Sequence, residues 1–197
     1  MSVLLVLFSY LLGSVSFSYF ISKRIKGVDI RKVGSGNAGA TNISRVLGLK
    51  FALLVLFLDA LKGFVVALLA SYLTTNTPLF LLCCGAVIIG HNWPVFFGFK
   101  GGRGVATTLG VFLVIAPIHT LIVLSFLIII IGLTRYVSLG SIIGAISAPV
   151  VLLLLRYPLP YFIFGMAVCL LLLWRHAPNI KRLLQGKESK LGEKVNI

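Results

Sequence analysis

The chain has 197 residues, of which 59% are hydrophobic and only 11% are charged. That balance leaves too little polar surface for a soluble globule, so the sequence predicts an integral membrane protein. Lys and Arg number 18 against four acids, which gives a net charge of +14. In a soluble chain this excess would indicate nucleic acid. In a membrane protein the cations lie in loops beside anionic headgroups, so we expect membrane lipids as partners and no nucleic acid.

Long apolar runs divided by short polar turns predict membrane-spanning helices, because about 20 residues of helix cross the hydrocarbon. The alternation typical of a membrane barrel is missing. We predict a single all-α, polytopic domain over residues 1–197 with seven transmembrane helices. The expected spans are 3–21, 51–73, 79–91, 105–117, 118–134, 139–155 and 161–174.

The apolar run 105–133 is divided at Pro117 for a topological reason. The loop 23–50 and the tail after residue 174 are both rich in Lys and Arg, and such segments favour the cytoplasmic side. Two short spans keep the loop and the tail on one side, whereas one tilted span would separate them. The N-terminus is therefore expected outside and the C-terminus in the cytoplasm.

The predicted second span contains an acid inside an apolar run. Asp59 lies three residues before Lys62, so both side chains share a helix face and are expected to pair. Ionisable residues within a membrane are functional candidates by default, and a structural clamp is the alternative. We assign this pair to structure, and we assign His119 to packing.

Two glycine-rich stretches have the composition of anion-binding loops. The first stretch, GSGNAGATN at residues 34–42, mixes glycines with hydroxyl and amide donors and precedes Arg45. The second stretch, residues 91–107, places Gly101 and Gly102 between Lys100 and Arg103 at the start of an apolar helix. Exposed N–H groups and fixed cations of this kind cradle a phosphate or carboxylate. For the first stretch, a turn capped by Asn42 is the alternative.

The third stretch, RHAPNIKRLLQGKE at residues 175–188, is basic and helical in pattern. Arg175, Asn179 and Arg182 recur at spacings that put them on one helix face, with His176 beside them. A basic helix on an anionic membrane surface is the alternative interpretation. We expect all three stretches to lie on the same membrane face.

Missing residue types restrict the chemistry. No acidic cluster is present for Mg²⁺, no His-x4-Asp dyad occurs, and no Ser, His and acid combination indicates a covalent acyl-enzyme. We therefore expect no metal and no cofactor. A site rich in anion binders and poor in bases suits an anionic substrate that is already activated.

The three stretches, together with DALKG at residues 59–63, resemble in order and spacing the motifs of the bacterial membrane acyl-phosphate:glycerol-3-phosphate acyltransferases, the PlsY family. The chain departs from that pattern at Arg103, where Lys is the commoner choice, and at Pro178, which argues against an unbroken helix from Arg175 to Arg182. The resemblance implies transfer of a fatty acyl group from acyl phosphate to the sn-1 hydroxyl of glycerol 3-phosphate, giving lysophosphatidic acid and phosphate.

The resemblance also implies roles for individual residues. The catalytic candidates are Ser35, Asn37, Arg45, Lys100, His176 and Asn179. The substrate-binding candidates are Gly36, Gly39, Thr41, Asn42, His91, Gly101, Gly102, Arg103, Gly104, Thr107, Ser138, Ser141 and Arg182. The first stretch would hold the acyl phosphate, and the cations with His176 and Asn179 would hold glycerol 3-phosphate and the leaving phosphate. The hypothesis for the base is the phosphate of the substrate, with His176 or His91 second.

We further expect the bacterial cytoplasmic (inner) membrane as the location, an active site facing the cytoplasm, and the acyl-phosphate synthase as a candidate partner. Two other classes compete with the acyltransferase. A small-anion transporter or channel would use the basic helix ends and the short spans near Pro117. A lipid-surface scaffold would explain the basic loops but not the paired glycine-rich stretches.

Overall fold

A computed structural model of the chain describes residues 2–193, and every regular element in that range is helical. Two short 3-10 turns, Ile30–Lys32 and Val95–Phe97, lie between the α-helices. The α-helices in chain order are α1 (Ser2–Gly13), α2 (Phe17–Lys26), α3 (Ala40–Leu47), α4 (Leu49–Leu73), α5 (Thr77–Asn92), α6 (Val105–Ile115), α7 (Pro117–Thr134), α8 (Val137–Leu154), α9 (Leu159–Arg175) and α10 (Ala177–Leu184).

Five segments of the described chain are long and apolar enough to cross a membrane. They are Ser2–Lys26, Leu49–Leu73, Thr77–Phe97, Pro117–Thr134 and Val137–Leu154. A sixth is added if α9 and α10, which meet at a bend of 57°, count as one span, and α6 is a shorter apolar helix. The prediction of an all-α, polytopic membrane protein is confirmed. The count of seven spans and the orientation of the termini stay predictions.

The first span is not one continuous helix, as the sequence had suggested for residues 3–21. It breaks between α1 and α2, at Ser14, Val15 and Ser16. The break removes carbonyls from the helical hydrogen-bond ladder, and each needs another donor in an apolar environment. The Val15 carbonyl has one, because the Lys62 ammonium donates to it at 2.8 Å.

Two proline positions end helices where the sequence predicted. α6 ends at Ile115 and α7 begins at Pro117, because proline fits the first turn of a helix but disrupts an interior. α10 likewise has Pro178 in its first turn, after the bend that follows α9. A broken helix between Arg175 and Arg182 is therefore confirmed.

The described residues divide into two compact units, 2–111 with 192–193, and 112–191, and the division falls inside α6. The prediction of one domain stays a prediction. In the first unit α1 packs against α5 at close range, since Gly13 lies against the Val87 backbone and Gly90 against the Tyr10 carbonyl. Glycines at these positions let the two helix backbones approach closely.

A hydrophobic core in the first unit supports the segment that enters α3. Ile30, Ala38, Ile43, Val46, Ala52 and Val55 are buried together, and Ile21, Val28, Val33, Ala40, Leu47 and Phe51 pack around them. The core joins α3 to α4 and includes Ala38 of the first glycine-rich stretch. Packing of this kind fixes a loop that has little regular structure of its own.

In the second unit α7 packs against α8 and α8 against α9, while α10 contacts α8 and α9. His119 in α7 is buried, and its Nε2 donates to the Ala148 carbonyl of α8 at 3.0 Å. Gly140 lies against Leu127 and Ile131, and Gly165 lies against Leu152. The packing role predicted for His119 agrees with these contacts.

Candidate active site

Residues 28–39, between α2 and α3, form a loop that we call loop 1. Gly34 and Gly36 have φ values of 60° and 71°, a left-handed conformation that glycine adopts without strain. Ser35 lies between them and is exposed, so the two turns present its hydroxyl at the surface. Gly39 is the N-cap of α3, the helix that carries Thr41, Asn42 and Arg45.

Asn42 holds loop 1 in this conformation. Its Oδ1 accepts the Ser35 N–H at 2.9 Å, and its Nδ2 donates to the carbonyls of Ile30 and Val33 at 3.0 and 2.9 Å. The amide is buried and spans the turn from inside. Asn42 was predicted to bind substrate. Its contacts are those of the turn-capping alternative, and its binding role stays a prediction.

Residues 93–104, between α5 and α6, form a second loop that we call loop 2. The Gly102 N–H donates to the His91 carbonyl at 3.1 Å, and a side chain at Gly102 would overlap the His91 ring at Nε2. Gly104 has a φ of 88° and lies against the buried amide of Asn92. Loop 2 is therefore folded tightly onto the end of α5, which brings its backbone to the first turn of α6.

The predicted residues of the second stretch differ in exposure. Lys100 is exposed and Arg103 is half-buried, whereas His91, Gly101, Gly102, Gly104 and Thr107 are buried. An exposed ammonium next to a buried glycine backbone is the arrangement that an anion site requires, with the charge outside and the N–H donors fixed. Whether each residue contacts substrate stays a prediction.

Arg31 joins the two loops. Its guanidinium bonds both carboxylate oxygens of Asp29, through Nε at 2.9 Å and Nη2 at 2.6 Å, and Nη1 donates to the Phe97 carbonyl at 2.5 Å. Its Cζ lies 5.2 Å from the centre of the Tyr19 ring and 5.7 Å from that of Phe97. The side-chain hydrogen bond from Arg31 lowers the pKa of Asp29 below its ordinary value. Charge, planarity and stacking thus tie loop 1 to loop 2.

The third stretch belongs to the second unit. His176 is the N-cap of α10 and is buried, with its Nδ1 2.8 Å from the Leu172 carbonyl. A carbonyl can only accept, so Nδ1 carries a proton, and Nε2 is the nitrogen that would accept when the ring is neutral. This tautomer fits the role of second candidate base that the sequence suggested.

Three predicted site residues of the second unit meet at Glu188. Ser138 Oγ and Asn179 Nδ2 donate to its Oε1 at 2.8 and 2.6 Å, and Arg182 Nε donates to its Oε2 at 2.7 Å. Burial alone would raise the pKa of Glu188, but the hydrogen bonds from Asn179, Arg182 and Ser138 outweigh it and the pKa is lowered. Ser141 instead donates to the Val137 carbonyl of its own helix at 2.9 Å.

The structure brings some of the predicted residues together and adds others. Loop 1 contacts loop 2 within the first unit, and Ser138, Asn179 and Arg182 converge within the second. Convergence of the third stretch on the first two stays a prediction. No site role was predicted for Asn92, Glu188, Asp29 or Arg31 from the sequence. One signal was present, because Glu188 is the single acid of a basic stretch.

Within residues 2–193 no group of three or more His, Cys, Asp or Glu side chains is arranged to hold a metal. Cys83, Cys84 and Cys169 are buried free thiols. The donors that remain are backbone N–H groups, hydroxyls, amides and cations. That set is suited to binding anions rather than to ligating metals.

Proteins of known activity are similar to this chain over nearly its whole length. The glycerol-3-phosphate acyltransferase of Shouchella clausii (strain KSM-K16) is 50% identical over 195 residues, covering 96% of this chain and 95% of that protein. The glycerol-3-phosphate acyltransferase of Aquifex aeolicus (strain VF5) is 47% identical over 196 residues, covering 94% of this chain and 97% of that protein.

Two solved structures are similar to this chain in both sequence and fold. The crystal structure of PlsY (YgiH), an integral membrane glycerol 3-phosphate acyltransferase, in its glycerol 3-phosphate form is 44% identical, with a TM-score of 0.91 over 97% of this chain and 96% of that chain. Its lysophosphatidic acid form is also 44% identical, with a TM-score of 0.88 over 97% and 95% of the two chains. The family described as Glycerol-3-phosphate acyltransferase matches residues 3–186. The chain therefore belongs to the glycerol-3-phosphate acyltransferase family, as its three stretches had indicated.

Proposed function

We propose that this glycerol-3-phosphate acyltransferase takes its fatty acyl group from acyl phosphate, esterifies the sn-1 hydroxyl of glycerol 3-phosphate, and releases lysophosphatidic acid and inorganic phosphate. The observation that carries the proposal is the pairing of two anion-type loops, loop 1 and loop 2, through the Arg31 contacts. Both donor and acceptor are then phosphate esters or anhydrides, which such loops bind through N–H groups and cations.

The roles follow the donors available in each segment. In loop 1 and at the start of α3, Ser35, Gly36, Asn37, Gly39, Thr41 and Asn42 hold or shape the acyl-phosphate group. Arg45, Lys100, Arg103, His176 and Asn179 hold glycerol 3-phosphate and the leaving phosphate. His91, Gly101, Gly102, Gly104, Thr107, Ser138, Ser141 and Arg182 complete the binding surface.

The reaction is a direct transfer. The sn-1 oxygen of glycerol 3-phosphate attacks the acyl carbonyl carbon, the bond from that carbon to the phosphate oxygen breaks, and phosphate leaves. Negative charge that develops on the carbonyl and phosphate oxygens is stabilised by fixed N–H, O–H and cationic donors. An acyl phosphate is already activated, so positioning and charge stabilisation supply most of the rate.

The proton of the attacking hydroxyl goes to the phosphate of the substrate. Three of the four acids are engaged elsewhere: Asp29 with Arg31, Asp59 with Lys62, and Glu188 with its three donors. A carboxylate stabilised by such partners is a weak base. His176, whose Nε2 is an acceptor, is the second candidate.

We also propose where the enzyme is located and which protein supplies its donor. The enzyme lies in the bacterial cytoplasmic (inner) membrane, its site faces the cytoplasm, and the acyl-phosphate synthase delivers the donor. Lys23, Arg24 and Lys26 in the last turn of α2 support this sidedness, since positive residues accumulate at the cytoplasmic ends of spans.

The test is formation of lysophosphatidic acid by the purified protein given glycerol 3-phosphate and palmitoyl phosphate, with acyl-CoA and acyl-(acyl-carrier protein) as rival donors. Phosphate release is a second readout for palmitoyl phosphate alone, since the thioester donors release a thiol instead. Ser35→Ala keeps the backbone N–H that bonds Asn42, so loop 1 retains its shape. We expect a loss of at least about 100-fold in kcat, the usual effect of removing one transition-state donor. Ser125→Ala, which removes a hydroxyl bonded within α7, is the matched control with normal turnover.

Release that requires both substrates and collapses in Ser35→Ala supports the proposal. Formation of lysophosphatidic acid only with acyl-CoA or acyl-(acyl-carrier protein) would reject acyl phosphate as donor. No lysophosphatidic acid with any donor, from protein shown to be folded, would favour the small-anion transporter, which phosphate uptake into liposomes would then reveal.

A further inference from the structure

The ion pair in α4 is almost completely buried. Asp59 and Lys62 are 2% and 4% exposed, and Lys62 Nζ lies 2.9 Å from Asp59 Oδ1, so the predicted pairing is confirmed. Removing two charges from water is costly, and an apolar pair of similar volume is often equally stable. An intramembrane pair that persists despite this cost is a functional candidate.

Each member of the pair reaches a second element. Lys62 Nζ donates to the Val15 carbonyl at 2.8 Å, in the break between α1 and α2. Asp59 Oδ1 lies 3.4 Å from Nδ1 of His91, which stands near the end of α5. The pair therefore joins α4 to the broken first span on one side and to the end of α5, just before loop 2, on the other.

His91 carries the contact onward into loop 2. Its carbonyl accepts the Gly102 N–H at 3.1 Å, and its ring is packed so closely on Gly102 that a Cβ there would overlap Nε2. The residue is 8% exposed. A carboxylate at one ring nitrogen orients the other, as it does for histidine ligands of metals. The His91 ring thus packs directly on the loop 2 backbone at Gly102.

The same part of α4 also packs on α6. Gly63 lies against the Thr107 carbonyl, and Gly110 lies against the Ala60 carbonyl. The segment DALKG, residues 59–63, accordingly contacts the helix that loop 2 enters as well as His91, which loop 2 follows. Both ends of loop 2 are held by one turn of α4.

We propose that Asp59 and Lys62 are positioning residues for acyl transfer, which hold the backbone of loop 2 in its anion-binding geometry through His91. The inference rests on the role given to loop 2 in the proposed function. Neither side chain touches substrate. A displacement of about 1 Å at a site built from fixed donors lowers the rate about 100-fold, so a small movement of His91 has a large effect.

The test uses the neutral double variant Asp59→Asn with Lys62→Met, which leaves no unpaired charge in the membrane and preserves side-chain volume. Purified wild-type and variant proteins are compared by thermal unfolding, by calorimetric titration with glycerol 3-phosphate, and by kcat and KM. We expect a variant that folds, with kcat/KM for glycerol 3-phosphate reduced about 10–100-fold and with weaker binding. Asp59→Glu, which keeps the charge but moves the carboxylate, is the second variant and should show the same loss.

A pair that serves only as a structural clamp would leave kcat/KM and glycerol 3-phosphate affinity at wild-type values in the folded double variant, and that result would overturn the proposal. His119→Phe is the matched control, because it alters a buried histidine bonded within the second unit. It should change thermal stability without changing kcat/KM.

The route through His91 has its own test. If Asp59 acts through His91, Asp59→Asn should add little to the loss already caused by His91→Phe. Fully additive losses would reject that route. If the wild type does not turn over with acyl phosphate, the proposed donor is wrong. If the double variant binds glycerol 3-phosphate with normal affinity, only the positioning role of Asp59 and Lys62 is wrong.

Discussion

At the scale of single residues, Glu188 explains why several polar side chains in the second unit are ordered. Its carboxylate is 4% exposed and accepts from Ser138, Asn179 and Arg182, which come from α8 and α10. Hydrogen bonds to a charged group contribute about 1.5–3 kcal/mol each, more than neutral ones. One acid in a basic tail therefore sets the orientation of three predicted site residues.

We predict that Glu188→Gln lowers the free energy of unfolding by about 2 kcal/mol. The amide nitrogen of glutamine would face the Arg182 Nε donor. That hydrogen bond is lost, and two N–H groups then point at each other without an acceptor. Thermal unfolding in detergent measures the effect. Glu193→Gln, at an exposed carboxylate, is the matched control, and an equal loss in both variants would contradict the role of Glu188.

The same residue predicts a pH dependence. The pKa of Glu188 is lowered in the folded protein, so its stabilisation is present above the ordinary glutamate pKa, about 4.3, and is lost as the pH falls through the lowered folded pKa. The Tm of Glu188→Gln should therefore fall less than that of the wild type on acidification. If the Tm values of the wild type and of Glu188→Gln fell in parallel on acidification, Glu188 would not be the cause of the pH dependence.

At the scale of elements, the two loops of the first unit depend on the Arg31 side chain. We predict that Arg31→Lys raises the KM for acyl phosphate or glycerol 3-phosphate about tenfold or more, with a smaller fall in kcat. Lysine keeps the charge but cannot bond both Asp29 oxygens while stacking on Tyr19 and donating to the Phe97 carbonyl. Steady-state kinetics decide this, and Lys32→Arg, the reverse change at the next, exposed position, should have normal kinetics.

The helices α4 and α6 cross at close range, and Gly110 of α6 lies at the crossing. Gly110→Ala would place a Cβ onto the Ala60 carbonyl and close to the Phe64 N–H, both backbone groups that cannot rotate away. We expect a loss of about 1–3 kcal/mol in stability and reduced turnover, because the helices must separate. Gly132→Ala in α7 meets nothing within 4 Å and should be neutral or stabilising by up to about 1 kcal/mol. Equal Tm shifts for the two variants would contradict the close crossing.

What the sequence could predict was local. Pro117 and Pro178 predicted helix ends because proline acts on its own turn. The spacing of Asp59 and Lys62 predicted an ion pair because the two residues share a helix face. Contacts between distant positions were not predictable. Ser138 and Glu188 are far apart in the chain. Nothing in the composition of the first span signals that Val15 lies in a break between two helices and accepts from Lys62.

At the scale of the whole molecule, the charge distribution remains the strongest guide to topology. The cations at the end of α2 and in α10 would share a membrane face only if an even number of crossings separates them. α6 is the element in question, since its 11 residues are fewer than the roughly 20 that normally cross a bilayer. A thinned membrane, or a site at the inner surface, would accommodate a shorter helix.

We predict that labelling of single cysteines places Lys26 and Gln185 on the cytoplasmic side and Thr75 outside. All three positions are exposed, and the native Cys83, Cys84 and Cys169 are buried thiols that can first be replaced by alanine. A membrane-impermeant maleimide applied to intact cells should react with Thr75→Cys alone, and after permeabilisation it should react with Lys26→Cys and Gln185→Cys as well. Labelling of Gln185→Cys in intact cells would mean that α6 and α7 supply one crossing instead of two. The third stretch would then lie on the opposite face from loops 1 and 2, and no common active site could include His176 and Asn179.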